Sequence, residues 1–397
     1  MNGPSATSRM GSTFGAEIGV EFRAEMGSDP VNPATRFLSF QKTRITASAI
    51  AVLTLACLLM LVAAAAQFGA VSVRADDWFA PWSALTHWVA PDDVTQPARW
   101  SGSAHVLWQI RLPRVMFALG IGAALGLTGA LTQGLFRNPL ADPGLLGVTS
   151  GAACAAALTI VALAAVQLPL PMAWRPYLLP VSAFVGALAV CFVLDRVSRW
   201  LVPGSIAGLL LSGVALNAVA AAVIGLCTYL ATDEQLRSLS FWTLGSLAGA
   251  NWTLVAMLFG LTALAGWRAA RLARQLNALA LGEAAAAHVG IDVNSLRTRA
   301  TVWVALVCGF AVAWCGMIGF IGLIAPHVAR TWVGPDQRRL LPWAAVVGAV
   351  LLLLADTLAR SVVVPAEVPV GIFSALLGGP FFLVMLRAVV RQRGGQA

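Results

Sequence analysis

The ionisable side chains of this chain offer few constellations able to do chemistry. Four histidines, His87, His105, His288 and His327, are scattered, without the paired spacing of a metal site or of an HExxH helix. The single lysine, Lys42, follows Gln41 rather than a glycine, so no GxxxxGK[ST] loop exists to cradle nucleotide phosphates. No nucleophile elbow or dinucleotide fingerprint stands out. What remains is arginine and carboxylate. Asp356 and Arg360 stand four apart with the acid first, the favourable order for an ion pair on one helix face. Arg111 and Arg114 head a Gly/Ala-rich stretch, and Glu283 opens the segment Glu-Ala-Ala-Ala-Ala-His288 between Gly282 and Gly290. These groups suit orientation and docking, not covalent work.

Long apolar elements must position them. The chain is 59% hydrophobic and 11% charged, with a mean hydropathy of +0.80. Apolar runs of that kind, continuous rather than alternating, predict helices crossing a membrane, because lipid cannot satisfy open backbone groups. Ten spans are expected, near 46–71, 115–135, 143–166, 176–195, 204–230, 250–267, 299–315, 318–332, 341–358 and 370–388, giving an all-α polytopic membrane protein. The eighth is short and contains Pro326, which predicts a bent or partial helix. Lysine and arginine concentrate on the side holding both termini, which places those termini in the cytoplasm. The net charge of +9 then reflects topology, not nucleic-acid binding. Residues 1–45 read as a mobile cytosolic tail, 46–390 as the membrane domain and 391–397 as a short cytosolic tail. Cys57, Cys154, Cys191, Cys227, Cys308 and Cys315 fall in or beside spans with no CxxC pair, and read as apolar packing residues.

Within the second span, Gly122, Gly126 and Gly129 give small surfaces for close helix approach. The stretches Gly129–Pro139 and Gly316–Pro326 have equal length and matching ends, which would suit a duplicated bundle. In the outer loop, Trp78, Trp82, Trp88 and Trp100 among Asp76, Asp77, Asp92 and Asp93 suggest an aromatic interface belt. Between the sixth and seventh spans, the Ala-rich turn from Glu283 predicts a short helix outside the bilayer, either a docking element or a plain linker. Asp356 apart, the spans hold few charges, fewer than a self-sufficient ion-driven transporter requires. Energy is expected from a second protein.

Five ordered segments carry a family resemblance: Arg111-Leu-Pro-Arg114, Gln133 through Gly147, Leu279-Ala-Leu-Gly-Glu283, Gly319 through His327, and Val368-Pro-Val-Gly-Ile372. They resemble the FecCD family, permease subunits of ATP-binding-cassette (ABC) importers for iron-siderophores, haem and vitamin B12, over about residues 50–390. The resemblance implies the type II importer fold, ten helices per subunit in a homodimer, with two cytosolic ATPase subunits and a periplasmic binding protein, in a bacterial inner membrane. ATP and Mg would sit on the ATPase, with no cofactor held permanently and no catalytic residue in this chain. It also implies that Gly282, Glu283, Ala284, Ala285, Ala286, Ala287, His288, Val289 and Gly290 couple to the ATPase. Arg111, Arg114 and Arg360 would meet acids on the binding protein; the competing roles are snorkelling for the first two and the Asp356 pair for the third. The path would be lined by the second span, with Gly122, Gly126 and Gly129, and by the start of the fifth, where Ser205, Ile206 and Ala207 form a mainly apolar narrowing. Gln235 to Leu247, QLRSLSFWTLGSL, looks most like haem permeases, which makes haem the expected cargo and the periplasmic partner a haem-binding protein; ferric siderophore and cobalamin stay open. Arg237 either greets a propionate or bonds structurally. His327 is read as structural. The implied mechanism is alternating access driven by the ATPase. Its rivals are an ion-gradient secondary transporter and a membrane-embedded haem enzyme.

Overall fold

The computed structural model describes residues 52–69, 71–81, 102–165, 171–201, 206–363 and 366–394. The chain divides into two units, Met1–Leu59 and Met60–Ala397. In the first, the described residues, 52–59, are helical; everything below concerns the second. The expected tail over 1–45, Lys42, and Trp82, Trp88, Trp100, Asp92 and Asp93 lie outside the described residues.

Among the described residues every regular element is helical. They are α1 (Val52–Gln67), α2 (Gly102–Phe136), α3 (Val148–Ala165), α4 (Arg175–Leu201), α5 (Ile206–Leu230) and α6 (Asp233–Leu244). There follow α7 (Trp252–Ala280), α8 (Glu283–His288), α9 (Val293–Cys315), α10 (Ile321–Val333), α11 (Gln337–Ser361) and α12 (Val370–Gly394). A helix lies within each expected span, although residues 46–51 and 70 of the first, 166 of the third and 204–205 of the fifth lie outside the described residues. By length and composition α2, α4, α5, α7, α9 and α11 can cross a membrane, and α1, α3 and α12 are shorter apolar helices. Helix α12 continues to Gly394, so the expected C-terminal tail from 391 is helical at its start.

Helix α2 is the axis of the bundle: 89% of its apolar window is buried, against 22% for α4 and for α5. It packs on α7, α9, α10 and α11, while α3 packs on α4 and α5. Glycine sets these distances. A Cβ on Gly122 would lie 2.2 Å from the Gly348 carbonyl, on Gly126 2.1 Å from that of Ala344, and on Gly129 1.8 Å from that of Gly322. Backbones this close exclude any side chain, as expected where van der Waals packing drives helix association. Gly322 precedes Pro326 by four residues, so its carbonyl has no amide donor within α10, and that freed oxygen is what Gly129 admits.

Helix α10 is a partial helix, as its proline predicts. Because Gly322 abuts Gly129, seven residues or about 10 Å from the end of α2, α10 starts well inside the membrane and not at its surface. The segment after α2 also turns inward. Arg137 takes a left-handed conformation (φ 51) to end α2; the Asn138 side chain accepts from Leu140 N and the Asp142 side chain from Gly144 N, two tight turns that carry the chain back up beside Gly322. The proposed repeat does not hold in this register. Pro139 sits in the turn after α2 whereas Pro326 is interior to α10; Gly129 is within α2 whereas Gly316 caps α9 at φ 73.

Candidate functional site

At the inner end, α8 forms the short helix expected from Glu283. Gly282, at φ 119, supplies the bend that separates it from α7. Only one side of α8 is held: Ala286 is fully buried, while Ala284, Ala285, Ala287, His288, Val289 and Gly290 are exposed. Leu281 and Val289 are 81% and 69% exposed, an apolar pair framing the helix. The Glu283 carboxylate accepts from Arg297 Nη2 of α9 at 2.6 Å and stands 3.7 Å from Arg137 Nη2 at the end of α2. One carboxylate thus stands beside arginines of both the end of the axial helix and α9. Beside it, Asn277 donates to Asp336 at 2.6 Å and accepts from Gln337 N, tying the end of α7 to the start of α11. The Arg338 amide and the Asn277 side chain hold the Asp336 carboxyl below the usual carboxylate range.

At the outer end lies an arginine cluster. Asp356, with no exposed surface, accepts from Arg114 Nε and Nη2 at 3.1 and 2.9 Å on one oxygen and from Arg360 Nε at 3.0 Å on the other. Arg114 Nη1 also donates to Glu367 at 2.6 Å. Arg111 caps the end of α1, donating to the carbonyls of Ala66, Gln67 and Val71, and Arg360 reaches those of Ala65 and Phe68 at 3.3 and 3.4 Å. A π-helical turn, Val106–Arg111, precedes this point in α2. Residual exposure is 5%, 8% and 8% for Arg111, Arg114 and Arg360. The three guanidiniums expected to face a docking protein are thus committed inside the subunit. Glu367, half-exposed, is the cluster's outward charge.

Between these ends is a cavity of about 490 Å³. It lies among the end of α6, the 317–320 turn, the start of α12 and the re-entrant segment after α2. Among the described residues, Asp142 is the one charged residue on its wall, accompanied by the hydroxyl residues Thr149 and Thr243. The depth of Gly322, near Asp142, puts the cavity within the membrane. Asp142 falls within the Gln133–Gly147 segment, and its Asp-Pro-Gly turn is written in the sequence; the return of that turn into the bundle is not.

The profile of the FecCD transport family matches residues 57–388. The chain belongs to that family. A hemin transport permease of Yersinia pestis is 46% identical over 301 residues, covering 76% of this chain and 87% of that one. A vitamin B12 import permease of Salmonella typhimurium is 40% identical over 301 residues, covering 75% and 87%. Among solved structures, a metal-chelate type ABC transporter in an inward-facing conformation matches with a TM-score of 0.71 and 31% identity, over 86% of this chain and 99% of that one. This FecCD chain is therefore the multi-pass permease subunit of an ABC importer.

Within this FecCD subunit, Gly122, Gly126 and Gly129 face carbonyls of its own helices, the close-packing role. Ser205 lies outside the described residues, and Ile206 and Ala207 open α5. Arg237 is exposed on α6. The QLRSLSFWTLGSL segment forms α6 and its exit turn: Ser246 N donates to the Cys315 carbonyl at 2.8 Å, and a Cβ on Gly316 would lie 2.1 Å from the Trp242 carbonyl. Part of that pattern serves the junction of α6 with the end of α9. His327 packs edge-on against Phe381 at 5.8 Å, in keeping with a structural role.

Proposed function

We propose that this permease moves haem from periplasm to cytoplasm by alternating access, powered by two separate ATPase subunits and fed by a periplasmic haem-binding protein. The observation that carries the coupling half is α8: an exposed, small-residue helix face whose only charged anchor, Glu283, is joined to α9 and to the end of α2. A groove on an ATPase would receive Leu281, Ala284, Ala285 and Val289, and closure of two such subunits would pull α8 and, through Arg297 and Arg137, the bundle. ATP and Mg would be bound there; this chain would hold no cofactor of its own.

Cargo identity is supported by the greater identity to the hemin permease than to the B12 permease and by Gln235–Leu247. A mostly apolar cavity within the membrane suits a planar, greasy porphyrin. A second copy is supported by α5, whose exposed side aligns Ala215, Ala218, Ala222 and Gly225 at helical spacing, small residues of the kind that let helices pack across a lipid-exposed face. Both termini would lie in the cytoplasm of a bacterial inner membrane. The ion-driven rival loses support from Asp356, whose carboxylate is consumed by two arginines.

The test is complementation. A bacterium lacking its own haem permease, given this chain with its ATPase and binding protein, is expected to grow with haem as sole iron source. Growth on a ferric siderophore but not on haem, or rescue of B12 uptake alone, would reassign the cargo.

A further inference from the structure

Between α2, α7 and α11 lies a second cleft, of about 350 Å³, sharing no lining residue with the central cavity among the described residues. Phe259, Thr262, Gly266 and Ala270 line it from α7, Leu127 from α2, and Arg338 closes one end from the first turn of α11. From Phe259 to Ala270 the helix rises about 16 Å, roughly half of the ~30 Å hydrocarbon thickness. The cleft is as long as one leaflet is deep. Trp267 carries the guanidiniums of Arg268 and Arg271 at 4.9 and 3.8 Å from its ring centre, an arrangement that marks the boundary with water on the α8 side. Arg338 is then level with lipid headgroups, and Phe259 reaches into hydrocarbon.

Two further features point to what fills it. Thr262 Oγ1 is buried without a hydrogen-bond partner, and it lies about 7 Å below Trp267 along the axis, near the depth of phospholipid ester groups. A buried hydroxyl left without a partner is destabilising, so an acceptor from outside the protein would satisfy it. Arg338 is exposed and has no carboxylate within ion-pair distance among the described residues, while Asp336 is engaged by Asn277 and by the Arg338 amide. Gly266 keeps the floor open: a Cβ there would meet only Leu127 Cδ2, at 3.9 Å.

We propose that this cleft binds one anionic phospholipid of the leaflet on the α8 side. Its phosphate pairs with Arg338, an ester carbonyl accepts from Thr262 Oγ1, and an acyl chain lies over Gly266 along Phe259. A zwitterionic lipid offers the same chain and esters but brings an ammonium group to the arginine, so the charge contact sets the preference. The site is independent of the cargo.

Native mass spectrometry of the delipidated permease, titrated with phosphatidylglycerol and with phosphatidylethanolamine of the same chains, tests this. Wild type is expected to bind phosphatidylglycerol about fivefold more tightly, the worth of one interfacial arginine. Arg338→Gln should erase the preference and Arg338→Lys keep most of it; as Arg338 is exposed, neither change disturbs the fold. Gly266→Leu should weaken both lipids severalfold, with Gly266→Ala close to wild type. Equal binding of the two lipids by wild type, or a preference unchanged in Arg338→Gln, would overturn the proposal.

Discussion

Replacing Asp356 by alanine would leave Arg114 and Arg360 facing each other inside the subunit. The carboxylate accepts three charge-assisted hydrogen bonds at 2.9–3.1 Å and has no exposed surface. After its removal Arg114 still has Glu367 as a counter-charge, but Arg360 retains only two carbonyl contacts of 3.3 and 3.4 Å, which do not neutralise it. Removing one partner of a buried pair costs roughly 3–5 kcal/mol, and that is the loss expected for Asp356→Ala. Asp356→Asn keeps an acceptor and should lose less. Replacing all three groups with apolar residues of similar size, Arg114→Met, Asp356→Leu and Arg360→Met together, should fall within about 1 kcal/mol of wild type or exceed it, since none of these three buried charges remains and Glu367, which loses Arg114, is half-exposed to water. Unfolding in mixed micelles, followed by tryptophan fluorescence, measures all of these. A loss under about 1 kcal/mol for Asp356→Ala, or a triple variant as unstable as the single one, would refute the assignment of these arginines to a buried network. The triple variant also asks whether they dock the binding protein: retained, salt-sensitive affinity for that protein would assign docking elsewhere.

Gly129→Ala sets a Cβ 1.8 Å from the Gly322 carbonyl, so α10 must move by more than 1 Å; a destabilisation of about 1–3 kcal/mol or more is expected in the same unfolding assay, whereas Gly225→Ala, with nothing within 4 Å, should be silent in the isolated subunit. Glu283→Ala removes the joint from α8 to Arg297 and Arg137 and is expected to leave ATPase activity in the reconstituted complex while lowering uptake at least tenfold, a barrier change of about 1.4 kcal/mol; parallel uptake and hydrolysis would contradict the coupling route. Asp142→Asn keeps an acceptor for Gly144 N but removes the cavity's charge, and Asp142→Ala removes both; if the charge acts on cargo, uptake falls in both variants, and a fall in Asp142→Ala alone would make the residue a turn former.

The helices were legible because lipid leaves the backbone no alternative, so apolar runs alone place α1 to α5, α7 and α9 to α12. Helix α8 was legible from Gly282, Glu283 and the alanines that follow. The arginine cluster was not. Counting charges by loop treats Arg111 and Arg114 as solvated, and the carboxylate that takes in Arg114 lies 242 residues away; only its i,i+4 half, Asp356 with Arg360, is written locally. The depth of α10 and of Asp142 was hidden for a related reason. Pro326 announces an irregular helix, and Asn138 and Asp142 announce turns, but whether such a turn leaves the membrane or re-enters it depends on Gly129 admitting the Gly322 backbone across the bundle. Likewise the spacing shared by Gly129–Pro139 and Gly316–Pro326 suggested a duplication, though glycine served helix contact at Gly129 and a left-handed cap at Gly316. In QLRSLSFWTLGSL, Trp242 and Ser246 meet the end of α9, so part of what reads as a cargo signature is packing.

The most direct measurement is uptake by liposomes containing this permease and its ATPase, presented with loaded binding protein outside and ATP at the ATPase, comparing haem, a ferric siderophore and cobalamin, with an ATPase-dead control. Haem accumulation that vanishes in the control is the predicted result. Accumulation that persists in the control would contradict ATP-driven alternating access, and ATP-dependent accumulation of another cargo without haem would contradict the assignment of substrate.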